Sequence, residues 1–307
     1  MKKIILSLLL LTLSDYGYSA AAACAAETES PKKDVSIRIG SNTHLGREEL
    51  EELINPDATS VHISRSTFAK EGSEYLLDFL ASMPKLNKIN FFYSPLSSSV
   101  LPDLFKAFPP TLKYFSFSSS GILPSNLNLF IGALKKMTSL EKLELMYNGF
   151  GPEAIAQLSD ALPSSLKNIN LSGNPISTYI NTHGVDRLSA ALAKLATLHA
   201  LSMRDCGLSL QDAKKLTLTM SKSDIRVIDF SDNNIAGFPS VAFEPYLYRS
   251  LKILDLTGTG VSDTDIDYLL RTPPISLEVL WLSKKDFSEY YILQLQKRFT
   301  GLIKWAE

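Results

Sequence analysis

Few residues in this sequence have types and spacings suited to chemistry. The 307-residue chain holds four histidines, His44, His62, His183 and His199, and two cysteines, Cys24 and Cys206. None lies in HExxH, CxxC or GxSxG, the arrangements that build a zinc site, a redox dithiol or a hydrolase nucleophile. No glycine-rich loop is placed to cradle a phosphate. Asp263, Asp265 and Asp267 give D-x-D-x-D, the opening of a calcium loop. The glycine and the closing glutamate that such a loop needs are missing, so the run reads as the acidic first turn of a helix. His62 near Arg38 is the remaining candidate for chemistry, and an open surface would give it no pocket. These residues point away from an enzyme, with no cofactor and no metal.

Charge narrows the partner class. There are 31 Lys and Arg against 32 Asp and Glu, a net charge of −1. That balance carries no basic footprint for nucleic acid. Beyond the first 30 residues, no stretch is long and apolar enough to span a bilayer. Residues 1–26 read as a secretory signal: Lys2 and Lys3, the apolar run IILSLLLLTL, then the small residues SAAAACAA. Cys24 is where a lipoprotein signal would place its lipid. Such a signal carries Leu three residues earlier, where this chain has Ala21, so ordinary cleavage within residues 21–26 is preferred. The expectation is an exported product, secreted or periplasmic, and a monomer.

The elements that would position any functional surface recur along the chain. LEKLELMYNGF, starting at Leu140, reappears as LKYFSFSSSGI from Leu112, LKNINLSGNPI from Leu166, IRVIDFSDNNI from Ile225 and LKILDLTGTGV from Leu251. LNKINFFYSPL from Leu86, LHALSMRDCGL from Leu198 and LEVLWLSKKDF from Leu277 complete the clear copies; ATSVHISRSTF from Ala58 is weaker. Successive starts from Ala58 to Leu302 are separated by 28, 26, 28, 26, 32, 27, 26, 26 and 25 residues. Within a copy, Leu143 and Leu145 flank Glu144 and share one face of a short strand. Asn148 stands where the chain must turn, and its amide can both donate to and accept from loop backbone. Asn174, Cys206, Asn233 and Thr259 take the same place, as do Ser66, Ser94 and Ser120, which are weaker substitutes. Lys285 departs from the rule. Second halves read as helices. PEAIAQLSDAL opens with Pro152 at a first-turn position. Ser209 with Asp212, and Ser262 with Asp265, suggest capping boxes.

This pattern resembles the leucine-rich repeat, L-x-x-L-x-L-x-x-N/C-x-L, and in repeat length the ribonuclease-inhibitor-like subclass, of bacterial exported or effector type. The resemblance implies an α/β solenoid, a horseshoe with a parallel sheet inside and helices outside. The implied organisation is a signal in 1–26, an N-terminal segment with a degenerate capping repeat in 27–57, about nine repeats in 58–301 and a truncated cap in 302–307. It implies an interaction scaffold that binds a protein, with a host protein or an envelope component as the partner. Activators of the Ran GTPase share the repeat and use an exposed arginine; Arg38 and Arg65 are the candidates here, without the surrounding motif.

In that geometry the residues between inward leucines face the concave side. Phe92, Tyr93, Tyr114, Met146 and Tyr147, around Glu144, are expected to form an exposed aromatic cluster suited to an interface centre. Asp205, Asp229, Asp232 and Asp255, beside Arg204 and with Trp281 at the far end, are expected to form an acidic strip favouring a basic partner. The long step places an insertion at 177–186, where Tyr179 and His183 could touch a partner.

Overall fold

Each repeat opens with a strand because its apolar residues alternate, and continues as a helix because they then recur at three- and four-residue spacing. In the computed structural model these halves alternate along the chain. The structure describes residues 35–40, 43–122, 124–178, 181, 183–221, 223–238, 250–271 and 276–306. The sequence readings on 1–26, including Cys24, and on Tyr179 lie outside the described residues. The chain divides into two compact units.

Within the first unit, the described residues run over 35–150 and 157–166. Its sheet has the parallel order β1 (Ser36–Ile39), β3 (Ser60–Ser64), β5 (Lys88–Phe92), β6 (Tyr114–Ser118), β7 (Lys142–Glu144). Two short strands, β2 (His44–Leu45) and β4 (Thr67–Phe68), pair separately. The helices are α1 (Arg47–Glu52), α2 (Lys70–Ala81), α3 (Leu101–Ala107) and α4 (Leu127–Leu134). The inward row Ile37, Val61, Ile89, Phe115 and Leu143 is buried throughout. Phenylalanines replace leucine at several core positions and pack ring against ring, with Phe91 to Phe117 at 5.3 Å and Phe115 to Phe130 at 5.7 Å between centroids. Helix α2 lies so close to β2 that a Cβ on Gly72 would stand 2.0 Å from the Leu45 carbonyl oxygen. Only glycine fits there.

The second unit covers 151–156 and 167–306 where described. Its parallel order is β8 (Asn168–Asn170), β9 (Ala200–Ser202), β10 (Val227–Asp229), β11 (Ile253–Asp255), β12 (Val279–Ser283), β13 (Leu302–Ala306). Helix α6 (His183–Leu192) follows β8, α7 (Leu210–Met220) follows β9, α8 (Asp263–Arg271) follows β11 and α9 (Glu289–Arg298) follows β12. Between the two sets in chain order lies α5 (Pro152–Ser159). No helix among the described residues is long and apolar enough to cross a membrane.

Local chemistry explains the turns. The Asn233 amide nitrogen donates to the carbonyls of Met203, Phe230 and Ser231 at 2.8, 2.9 and 3.1 Å. Its oxygen accepts from the backbone nitrogens of Cys206 and Leu208 at 3.0 and 2.9 Å. Asn148 and Asn174 repeat the donor half, reaching the Phe117 and Leu171 carbonyls at 2.7 Å each. Serine does less: Ser94 Oγ accepts from the Ser66 nitrogen and donates to the Phe92 carbonyl. Cys206 is buried with its sulfur toward the Leu171 and Arg204 carbonyls, and burial pushes its thiol pKa up, so it serves as a neutral turn residue. At Lys285 the chain forms a short 3-10 turn, Lys284–Asp286. The Ser209 and Asp212 capping box is complete at α7. At α8 only the half from the Ser262 nitrogen to the Asp265 carboxylate is made, at 3.1 Å.

Candidate functional site

Parallel register sets the outward residues of each strand beside those of the next. In the first unit one row runs Ser60, Lys88, Tyr114, Lys142, and the next runs Arg38, His62, Asn90, Ser116, Glu144. The Tyr114 hydroxyl donates to Glu144 Oε2 at 2.8 Å, and Lys142 Nζ lies 2.9 Å from Oε1. The same ammonium sits 5.0 Å from the centre of the Tyr114 ring. Glu144 is therefore enclosed, at 1% exposure, and not the open carboxylate its place between leucines suggested.

The expected aromatic cluster divides. Phe92, at the end of β5, and Met146, in the turn after β7, are buried, at 6% and 3% exposure. Tyr114 is half-buried. Tyr93 and Tyr147 remain exposed, at 48% and 39%. Both occupy left-handed backbone, with φ of 49° and 54°. Other turns repeat that conformation: Arg65, Ser119, Asp205 and Asp232 share it, and Gly173 and Gly258 supply it where no side chain is present. A non-glycine residue in this region costs roughly 1–2 kcal/mol. The turns also stay in register, since the Tyr93 nitrogen donates to the Ser118 carbonyl at 3.0 Å and the Ser119 nitrogen to the Met146 carbonyl at 2.9 Å. Within the first unit the result is a ridge of outward side chains just past the strand ends, from Arg65 through Tyr93 and Ser119 to Tyr147. Tyr147→Gly is expected to leave stability within about 1 kcal/mol of wild type, since relief of the backbone offsets loss of an exposed ring. Urea denaturation of both proteins checks this; a larger loss would mean that the ring holds the fold.

The acidic strip also differs from expectation. Asp229 and Asp255 lie opposite each other on β10 and β11, and both are buried. The Asp229 carboxylate accepts from the Ser231 nitrogen and hydroxyl at 3.0 and 2.6 Å; that of Asp255 accepts from the Thr257 nitrogen at 3.0 Å. Burial, and then the neighbouring Asp229 charge, push the Asp255 carboxyl up to about 7. Only Asp205 and Asp232 are exposed carboxylates of this group, and Asp232 pairs with Arg204 at 2.5 Å. An open negative strip is thus not formed; strand neighbours bury half of it. Trp281 is half-buried beside Asp255 in register, with Lys304 Nζ 6.0 Å over its ring.

An apolar row escaped the sequence reading. Ala200, Val227, Ile253 and Val279 form it along β9 to β12, and Trp281 packs against it. The signal was present two residues before each central outward position, where Lys88, Tyr114 and Lys142 stand in the first unit. His183 is exposed at the start of α6, where its backbone nitrogen donates to the Asn181 side-chain oxygen at 3.0 Å. It is a helix-start residue of α6.

Stacked strand, asparagine turn and helix define the class: a leucine-rich-repeat α/β solenoid. Comparison with known proteins agrees. A family model described as a leucine-rich repeat matches residues 136–159. The ribonuclease inhibitor of Sus scrofa is 26% identical over 226 residues, covering 68% of this chain and 48% of that protein. A crystal structure of a TLR13–ssRNA13 complex superposes with a TM-score of 0.53 at 17% identity, over 88% of this chain and 34% of the other. The chain thus spans about half the length of the inhibitor and about a third of the TLR13 chain.

Proposed function

We propose that this chain is an exported interaction scaffold that captures a protein partner through its outward strand face and the ridge beside it, and performs no chemistry of its own. The observation that carries the reading is the pair Tyr93 and Tyr147, exposed and held in left-handed backbone at a position where Gly173 and Gly258 stand elsewhere. Two large amphipathic rings at a strained, exposed position are poor choices for folding and good ones for binding. The repeats order the surface before a partner arrives, so little conformational freedom is lost on association.

The comparisons support a binding role while differing in ligand. One relative is named for inhibiting a ribonuclease; the structural neighbour was solved with single-stranded RNA. A net charge of −1 supports a protein partner here, because nucleic acid binding draws on a basic surface. The signal pattern of residues 1–26 supports export of bacterial type, and we take a host protein as the partner.

Affinity capture tests this with the exported chain, using host lysate and the producer's own envelope fraction. A specific protein is expected to be retained by wild type and lost by Tyr93→Gly/Tyr147→Gly. Retention by that variant, with loss on Trp281→Ala, would move the site to the apolar row of the second unit. Recovery only from the envelope would replace host recognition with an adaptor role.

A further inference from the structure

The apolar row of the second unit has a charged flank, and the kind of partner the two specify together rests on the scaffold role proposed for the chain. Ala200, Val227, Ile253 and Val279 stand side by side in register, and Leu302 on β13 continues the row. A sheet packed on one face carries polar residues on the other, and the first unit follows that rule with Ser60, Lys88, Tyr114 and Lys142 in the matching places. The first four members of the apolar row pack together at 5–8% exposure, while Leu302 is 50% exposed. Along the strands, Trp281 borders the row on one side. The residue before each member borders it on the other. Backbone hydrogen bonds join those residues in a line: the His199 nitrogen donates to the Lys167 carbonyl at 2.7 Å, the Arg226 nitrogen to the His199 carbonyl at 2.7 Å, and the Lys252 nitrogen to the Arg226 carbonyl at 2.8 Å. Arg226 pairs with Asp224 at 2.5 Å and Lys252 with Glu278 at 2.8 Å, through side chains that stay 45–66% exposed. With Lys167, the cations of this flank outnumber its carboxylates. His199 registers the excess: burial first, then Arg226, with Lys167 adding, hold its pKa below the usual value against the opposing charge of Asp224.

We propose that the row and its flank bind an acidic amphipathic helix of a protein partner, laid across the strands with its apolar stripe on Val227, Ile253 and Val279 and its carboxylates on Arg226 and Lys252. The row crosses the strands as one apolar line with cationic charge along a single side. An amphipathic helix offers the complement, an apolar stripe bordered by charged residues. Exposed ion pairs contribute little, so Arg226 and Lys252 exchange Asp224 and Glu278 for a partner's carboxylates at small cost. The buried Asp229 and Asp255 lie on the Trp281 side of the row, since each follows its apolar neighbour by two residues. They disfavour acidic groups there, which fixes the acidic edge of the helix toward the cationic flank. Leu302, the most exposed member, meets one end of the stripe.

Calorimetric titration of the exported chain tests the assignment with a helical peptide of about 18 residues, built of leucine, alanine and glutamate with its leucines on one stripe. A second peptide replaces glutamate by lysine, and a third scrambles the order so that the stripe is lost. The acidic peptide is expected to bind and the other two not to. Raising salt from about 50 mM to about 500 mM should weaken its binding. Arg226→Glu/Lys252→Glu should weaken it about tenfold, since two exposed contacts are lost and like charges then face each other. Leu302→Ser should weaken it as well, and this residue is too exposed for the change to disturb the fold. Failure of the acidic peptide to bind at about 1 mM, with partner capture still dependent on Tyr93 and Tyr147, would overturn this inference and leave the scaffold reading intact. Equal binding of the lysine peptide, or binding unchanged by the flank variant, would also overturn it. So would binding to anionic phospholipid vesicles without binding to the acidic peptide. Acidic-peptide binding that falls with the flank variant, without any captured partner, would support the row as a helix site and remove the broader reading.

Discussion

Asn233→Ala is expected to cost about 4 kcal/mol of folding stability, since each buried group left unpaired costs about 1–3 kcal/mol. The side chain is 2% exposed and serves three carbonyls and two backbone nitrogens at once. Alanine removes all five hydrogen bonds, and water entering the gap restores some of them. The loss is a large part of the roughly 5–15 kcal/mol that holds a typical domain together. The neighbouring Asn234 is exposed, and Asn234→Ala should change stability by no more than about 0.5 kcal/mol. Denaturant unfolding of the three proteins decides the matter. A cost below about 1 kcal/mol for Asn233→Ala would mean that the turn closes without its amide.

A second large effect concerns pH. With its carboxyl pushed up from 3.8 to about 7, Asp255 holds a proton in the folded chain that it has released in the unfolded one, across the interval between those values. The folded state binds more protons there, so this residue's contribution is fully present below about pH 4 and drains away as pH rises to about 7. Above that it is flat. Asp229 opposes ionisation as a like charge and Arg204 favours it. Asp255→Asn keeps an oxygen for the Thr257 nitrogen and removes the charge. Its stability relative to wild type should therefore increase between about pH 4 and pH 7 and hold level beyond. Unfolding midpoints for both proteins across that range provide the measurement. Equal pH dependence would show that Asp255 ionises as an ordinary carboxylate in the fold.

Those two residues also mark how far the sequence could be read. Strand, turn and helix positions follow from spacing within one repeat, and the Asn233 position is defined inside a single copy. The Ser209 and Asp212 pair is likewise local, and it forms as a capping box should. Exposure is a different matter, because it depends on which residue the register brings alongside. Glu144 owes its burial to Tyr114 one strand away, and Asp255 owes its raised pKa first to burial and then to Asp229 across the ladder. Outwardness could be read from alternation; being covered by a neighbour could not. The row from Ala200 to Val279 was missed for a related reason. Each member is an unremarked single apolar residue in its own repeat and becomes a surface only when four strands are set side by side.

The left-handed turn position is filled by arginine, tyrosine, serine, glycine and aspartate in different repeats, a set with no common chemistry. Its backbone fixes where the side chain leaves the molecule, and the inward leucines do not sense which one is present. On the proposed reading of these turns as part of the binding surface, specificity would be rewritten by inheritance one repeat at a time, for about 1 kcal/mol per non-glycine choice. Duplicating a repeat would add a rung to this ridge and deleting one would shorten it. On that reading a lineage would change its partner through a handful of codons while its architecture stays the same.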